Sequence, residues 1–193
     1  LWQSVQLITQ PEVTLRVDDG VLTLEAKQTS TSIKAVPHEE FPIPHRLEGT
    51  VHQVQRSLFA LGIKTAAFAA SQSSIKPELG SIYIQQKKEH SLTFVATDSF
   101  RLMEKSVPQK GLVFDQAIMV PQKNALELAR ICEVVGEDPV FGMDDNQCAL
   151  RFAGGVYVST RLVSGSFPDY EQIIPKEFVS YVTLLKADLQ QSF

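Results

Sequence analysis

Thr14-Leu15-Arg16-Val17-Asp18-Asp19-Gly20-Val21-Leu22-Thr23-Leu24 is the stretch from which the architecture can be read. Apolar and polar residues alternate on both sides of Asp18-Asp19-Gly20, which supplies a tight turn and a residue able to take positive φ, so the stretch predicts a β-hairpin. Shifting the chain by 126 positions lays residues 12–42 on residues 138–168 without a gap. Asp18-Asp19 then meets Asp144-Asp145, Leu24 meets Leu150, and Phe41-Pro42 meets Phe167-Pro168. Leu15 meets Phe141, Val17 meets Met143 and Val36 meets Leu162, so the inward-facing pattern repeats along with the turns. The chain therefore reads as a duplicated module. Two adjacent carboxylates raise the possibility of a metal site. At a hairpin tip they are read as turn formers, because Asp and Asn side chains bond their own backbone, and Asp144-Asp145-Asn146 reads the same way.

Between the two copies lies the material of one complete domain, residues 47–175, with residues 1–46 as the end of a preceding domain and 176–193 as the start of a third. Val51, Val54, Leu58, Leu61, Thr65 and Phe68 recur at three- and four-residue spacing, which predicts an amphipathic helix over 50–70, bent near Gly62. Residues 81–84 and 92–96 read as paired strands around a polar tip, with further strands at 101–107 and 117–120. Pro121 suits the first turn of a second helix running to Val135, with Ala125, Leu128, Ala129 and Cys132 on one face. Two helices and about eight strands per repeat predict an α+β domain whose helices pack on one side of antiparallel sheets. The opening Leu1 and the unfinished helical pattern at 184–193 read as the ends of a piece of a longer chain.

Composition narrows the function classes. The 193 residues are 44% hydrophobic and 21% charged, a soluble globular composition. No apolar run approaches the roughly 18 residues that cross a bilayer, and no basic and apolar leader opens the chain. The two cysteines, Cys132 and Cys148, form no CxxC and have no His at ligand spacing, so no disulfide, metal or other cofactor is expected and a reducing cytoplasm is the expected compartment. Phosphate-loop, dinucleotide, nucleophile-elbow and HExxH signatures are missing. Ser99, His90 and Asp98 can be drawn as a hydrolytic triad, but Asp98 beside a strand end is more simply a turn residue. The net charge of −4 argues against a tight grip on many phosphates. Yet residues 49–77 hold no Asp or Glu while Arg56, Lys64 and Lys76 are present, with His52, Gln53 and Gln55 read on the side of Arg56. That stretch reads either as a mildly basic helix face turned to a polyanion or as an ordinary solvated face.

Four segments carry a family resemblance. Ala96-Thr97-Asp98-Ser99-Phe100-Arg101-Leu102 closely resembles the ATDGHRLA-type segment of bacterial sliding clamps, the β subunit of DNA polymerase III. Ser164-Gly165-Ser166-Phe167-Pro168-Asp169-Tyr170, followed by Ile173-Ile174-Pro175, is similar to the family's DGRFPDYxxVLP segment. Lys76-Pro77-Glu78-Leu79-Gly80-Ser81-Ile82 is similar to its RPxLxGV stretch, and Ile118-Met119-Val120-Pro121-Gln122-Lys123 to its strand-to-helix junction. All four occur in the family's order across its middle domain, and the internal duplication suits a family built from three copies of one fold.

The resemblance implies the DNA clamp fold and a mechanical, non-catalytic function. In the family two crescent subunits close head to tail into a homodimeric ring around double-stranded DNA, which passes through without being read. A ring needs no tight phosphate grip, which accommodates an acidic protein. The resemblance further implies a hydrophobic pocket that receives short peptides from the polymerase α subunit, the clamp loader and repair proteins. Positions matching its middle-domain wall are Leu79, Thr97, Ser99, Phe100, Arg101, Leu102, Pro168, Gln172 and Ile173. DNA-facing positions are Arg56, Lys64, Lys76 and Lys123. Residues 29–36, with Thr31 and Ile33, are expected to form an edge strand at the subunit interface. Three departures stand out: Ser99-Phe100 replaces the common Gly-His, Gln172 stands where a basic residue is frequent, and Pro77-Glu78 replaces positions that are aromatic in some relatives. Other classes of reading are a stand-alone β-rich ligand-binding module and a hydrolase centred on Asp98 and His90.

Overall fold

The structure is a computed structural model that describes residues 1–27, 29–41, 51–73, 75–111, 113 and 116–192. The chain divides into two compact units, Leu1–Arg46 and Leu47–Phe193.

In the first unit a short helix, α1 (Trp2–Gln6), precedes the antiparallel strands β1 (Thr14–Asp18), β2 (Val21–Ala26) and β3 (Thr29–Lys34). Asp18 pairs with Val21, leaving Asp19 and Gly20 as a two-residue loop with φ of 45° and 70°. Positive φ at both central positions is the type I′ geometry, whose twist matches the flanking strands. The strand order is β1-β2-β3, so β3, which holds Thr31 and Ile33, lies at the edge of this sheet. The second unit runs β4 (Val51–Gln53), α2 (Arg56–Ala67), β5 (Ser81–Gln85), β6 (Ser91–Thr97), β7 (Leu102–Pro108), β8 (Ile118–Pro121), α3 (Gln122–Val135), β9 (Val140–Met143), β10 (Gln147–Arg151) and β11 (Tyr157–Arg161). A 3-10 turn (Tyr170–Ile173) and a short helix, α4 (Lys186–Gln191), follow. Two four-stranded antiparallel sheets result, ordered β11-β10-β9-β4 and β7-β6-β5-β8.

The duplication holds at the level of pairing. Leu15 pairs with Leu24 in the first unit, and Phe141 with Leu150 in the second, so the two hairpins keep one register after a shift of 126. Leu24 and Leu150 are both buried. The third strand departs from the ungapped match. Leu24 faces Thr31, but Leu150 faces Val158, which lies 127 positions on. One extra residue is taken up in the turn before β11, where Gly155 has φ of 82°. Of the four aligned residues in Phe41-Pro42 and Phe167-Pro168, Pro42 lies outside the described residues, as do His45 and Thr50.

The helix expected over 50–70 is shorter and turned. Val51, His52 and Gln53 form a strand instead, paired with Gly142, Phe141 and Val140 of β9. Their alternation was masked by apolar residues that happen to continue the helical spacing. His52 and Gln53 therefore do not share a helix face with Arg56; the His52 ring is bonded through Nδ1 to the Gly111 carbonyl at 3.1 Å. Helix α2 begins at Arg56, whose backbone N–H donates to Asp138 Oδ1 at 2.9 Å. A carboxylate from another element thus satisfies a free N–H at the positive end of the helix. The buried face is Phe59, Ala60, Gly62, Ile63, Ala66 and Ala67, while Leu61 and Phe68 are 47% and 65% exposed. Gly62 does not bend the helix out of continuity; it sits inside the helix against the Phe94 ring. Helix α3 has its expected face, with Ala125, Leu128, Ala129 and Cys132 buried, and ends at Gly136 with φ of 80°, a left-handed cap.

Helices α2 and α3 lie against one another and against one face of the sheet β7-β6-β5-β8. Arg56 at the start of α2 reaches the Cys132 carbonyl near the end of α3, while the Gln122 amide at the start of α3 donates to the Ala67 carbonyl at the end of α2. The pair is therefore antiparallel. Ile82 and Ile84 of β5 and Leu92, Phe94 and Ala96 of β6 point into the helices, and alternate residues such as Tyr83 and Val95 point to the opposite face. Phe59 joins the layers, its ring edge-on to Phe94 at 5.6 Å and tilted against Phe141 at 5.8 Å.

Candidate functional site

The link between β6 and β7 is a four-residue turn closed by the pair Thr97 and Leu102. Thr97 Oγ1 donates to the Arg101 carbonyl at 2.7 Å and accepts the Ser99 N–H at 3.1 Å. Asp98 Oδ1 accepts the N–H groups of Phe100 and Arg101 at 2.9 and 2.7 Å, and Oδ2 takes Arg101 Nε and Nη2 at 2.9 and 2.8 Å. The carboxylate is thus shared between two backbone donors and a bidentate guanidinium. These bonds, led by the Arg101 backbone N–H and its side chain, pull the Asp98 carboxyl down to about 2. Ser99 has φ of 77°. A side chain there costs about 1–2 kcal/mol that glycine avoids, which is the physical reason similar segments carry Gly; here the bonds of Thr97 and Asp98 hold the conformation in spite of it. The turn presents Phe100 at 96% exposure, while the Arg101 guanidinium lies 5.0 Å from the centre of the Phe68 ring.

Asp98 provides a prediction with a defined sign. Its folded pKa lies below the ordinary carboxylate value of about 3.9, so its contribution to the turn is present above that value and is lost as pH falls through about 2. Carboxyl NMR should give an Asp98 midpoint near 2 in the protein, and a midpoint near 4 would contradict the shared-carboxylate geometry.

The other expected pocket residues fall on two further segments. Leu79 is buried, and its backbone bonds Ser71 and Lys76: its N–H donates to Lys76 O and its carbonyl accepts from Ser71. Pro168, Gln172 and Ile173 belong to the segment around the 3-10 turn and are exposed, Ile173 at 63%. Gln172 donates to Asp169 Oδ2 at 2.6 Å. Thr97, Ser99, Phe100, Arg101 and Leu102 are thus brought together in one turn. Among the described residues no hydrogen bond, ion pair or ring contact joins that turn to Leu79 or to Pro168, Gln172 and Ile173.

The 164–173 segment lies over the face of the sheet turned away from the helices. Phe167 stacks flat on Tyr83 at 4.6 Å and 7°, and meets Tyr170 edge-on at 6.2 Å. The Tyr170 hydroxyl donates to Glu104 Oε2 at 2.6 Å and accepts from the Gln85 amide at 3.0 Å. Lys87 bonds Glu104 at 2.6 Å and Glu171 at 2.8 Å. Sequence reasoning passed over Lys87 and Glu104; the one available signal was the tyrosine ending the FPDY segment.

The four expected DNA-facing cations have unequal surroundings. Lys64 meets both carboxylate oxygens of Glu133 at 2.6 Å, joining α2 to α3. Arg56 is half-buried against α3 through the Cys132 carbonyl at 3.4 Å. Lys76 and Lys123 are exposed. The acid-poor stretch of α2 is therefore supplied with acids from α3 and the residues after it, Glu133 and Asp138, which the local sequence could not reveal.

The hydrolytic constellation is not assembled. His90 precedes β6 and Asp98 follows it, and seven intervening residues of strand at about 3.3 Å each hold them roughly 25 Å apart. The carboxylate is occupied by Arg101, and the His90 ring lies beside Glu89 at 3.5 Å. Burial pushes the Cys132 and Cys148 thiols up to about 11 and about 12, the opposite of an activated nucleophile. Among the described residues no group of His, Cys, Asp and Glu is arranged to hold a metal ion, and Asp144 instead accepts the N–H groups of Asn146 and Gln147, as a turn former does. No described helix is long and apolar enough to cross a membrane.

Residues 53–169 match the family model for the DNA polymerase III beta subunit, central domain. The chain belongs to this family. Among curated relatives, the beta sliding clamp of Streptococcus pneumoniae is 25% identical over 186 residues, covering 94% of this chain and 49% of the relative. That of Synechococcus elongatus is 27% identical over 180 residues, covering 90% and 47%. The fold agrees with the crystal structure of the Helicobacter pylori beta clamp bound to a DNA ligase peptide, at a TM-score of 0.82 and 24% identity over 98% of this chain and 53% of that one. It also agrees with the beta chain from Streptococcus pneumoniae, at 0.80 and 22% over 91% and 47%. The chain spans about half the length of the relatives it matches. Two antiparallel helices on one face of paired antiparallel sheets are thus the DNA clamp fold of this family, and the α+β expectation holds.

Proposed function

We propose that the protein to which this chain belongs is a replicative sliding clamp, a non-catalytic processivity factor. Two copies close into a ring around double-stranded DNA and tether the polymerase α subunit, the clamp loader and repair proteins by their peptides. Residues 1–46 belong to its first clamp domain, 47–175 form the middle one, and 176–193 begin the third. The observation that carries this reading is the match of residues 53–169 to the central domain of the family. The antiparallel placement of α2 and α3 on one side of the sheet supports it, since both helices can then contribute to one wall. The charge pattern fits as well. With Lys64 held by Glu133 and Arg130 by Glu127, the helices retain few free cations, and few phosphate contacts suit a ring that must slide. Arg56, Lys64, Lys76 and Lys123 face the duplex, Thr31 and Ile33 on the edge strand β3 pair with the neighbouring subunit, and the 97–102 turn with Leu79, Pro168, Gln172 and Ile173 receives peptides.

The test uses the full-length protein loaded on nicked circular DNA. Retention should persist in salt that strips phosphate-bound proteins, and linearising the circle should release the protein. Equal salt-sensitive binding to circles and linear DNA would overturn the ring. A hydrolase is not favoured by the separation of His90 and Asp98, and a stand-alone ligand-binding module is not favoured by clamp relatives about twice the length of this chain.

A further inference from the structure

The 164–173 segment carries three of the proposed peptide-contacting residues, Pro168, Gln172 and Ile173, yet the 3-10 turn at its end makes only one turn and has little helix of its own to fix it. Its position is set from below. Tyr170 is buried, and its hydroxyl sits between Glu104 of β7 and the Gln85 amide of β5. Lys87, from the loop between β5 and β6, bonds the same Glu104 oxygen, reaches Glu171 and lies 4.8 Å over the Tyr170 ring. One strand, one loop and the turn therefore meet at a single carboxylate oxygen, and a second strand joins them through the Tyr170 hydroxyl.

We infer that Lys87, Glu104 and Tyr170 form a clasp that positions the peptide-contacting turn, so that they govern peptide affinity without touching the peptide. The inference rests on the proposed peptide site. An isolated exposed ion pair contributes little, but this one is partly buried, with Lys87 and Glu104 side chains 24% and 33% exposed. Its members also share an oxygen with a phenol, so that losing one removes a bond from a partly buried network that holds the turn. Their ionisation behaves accordingly. Tyr170 is pushed up to about 12 by burial and by donation to Glu104, and Glu104 is held low, its desolvation outweighed by the bonds from Lys87 and Tyr170. The clasp lies on the sheet face opposite Phe59, Phe94 and the helices, so cutting it leaves the core intact.

The experiment measures binding of the DNA ligase peptide of the Helicobacter pylori complex to the full-length protein, beside thermal unfolding and retention on nicked circular DNA. Tyr170→Phe keeps the ring and its edge-on contact with Phe167 but loses the hydroxyl, and Lys87→Ala removes the ammonium at an exposed loop. Each is expected to weaken the peptide roughly tenfold or more, the loss of at least one charge-assisted bond, while DNA retention stays at the wild-type level; Lys87→Arg should recover most of the affinity. Unchanged peptide affinity in both variants overturns the clasp. Affinity and DNA retention falling together, with Lys87→Arg giving no recovery, reduces it to a general structural contact and also overturns it. Failure of the wild type to bind the peptide removes the proposed site itself, a result distinct from either.

Discussion

Phe59→Ala is expected to destabilise the second unit by about 3–5 kcal/mol, the range for deleting a fully buried aromatic ring. The ring is 1% exposed and stands where α2 meets both sheets, edge-on to Phe94 of β6 and tilted against Phe141 of β9. Its loss removes transfer free energy and two ring contacts, and leaves a cavity lined by residues of three different elements. Such a cavity closes poorly, because helix and sheets cannot all move inward at once. Urea titration should show the midpoint falling with little change in slope, and melting should drop by roughly 10 °C. Leu61→Ala is the control: on the same helix but 47% exposed, it should cost less than about 1 kcal/mol. Similar losses at Phe59 and Leu61 would mean that the helix face is assigned wrongly.

That comparison marks where sequence pattern and structure part. The β1-β2 hairpin was legible because its information is local: alternation on both sides of Asp19-Gly20, and two positive φ values that few residues supply. Helix α3 was legible because large and small apolar residues share one stripe after Pro121. Helix α2 was misread for two physical reasons. Val51, His52 and Gln53 owe their strand to a partner, β9, far along the chain, and no window around them contains it. The true buried face is built largely of Ala60, Gly62, Ala66 and Ala67, and small residues weigh little in a hydrophobic pattern, although they are what allows a helix to approach a sheet closely. The 97–102 turn was legible as a motif. Its rigidity was not, because that comes from both oxygens of Asp98 serving a backbone and a guanidinium together. Lys87 and Glu104 were invisible for the same reason as β4: their meeting at Tyr170 is made by tertiary structure alone.

Gly62→Ala is the sharper test of that close approach. On helix propensity alone the change should stabilise α2 by about 1 kcal/mol. Position reverses the sign. A Cβ on Gly62 would overlap Cδ2 and Cε2 of Phe94, and the ring has nowhere to go, since it is fully buried and braced by Phe59. Overpacking of this kind costs about 1–3 kcal/mol, so a net loss is expected, with α2 displaced outward from the sheet. The pair Gly62→Ala with Phe94→Leu separates the causes. If the overlap with the ring is responsible, the double variant should be more stable than the sum of the single effects predicts, with a coupling of about 0.5–3 kcal/mol. Additivity would assign the loss elsewhere, and a stabilised Gly62→Ala protein would show that the ring can move aside. The position has a functional side as well. Lys64 lies on the exposed face of the same helix, two residues on, bonded across to Glu133. An outward shift of α2 therefore changes how the two helices of the proposed DNA-facing wall sit on the sheet, and the Lys64–Glu133 pair should be the first contact between them to loosen.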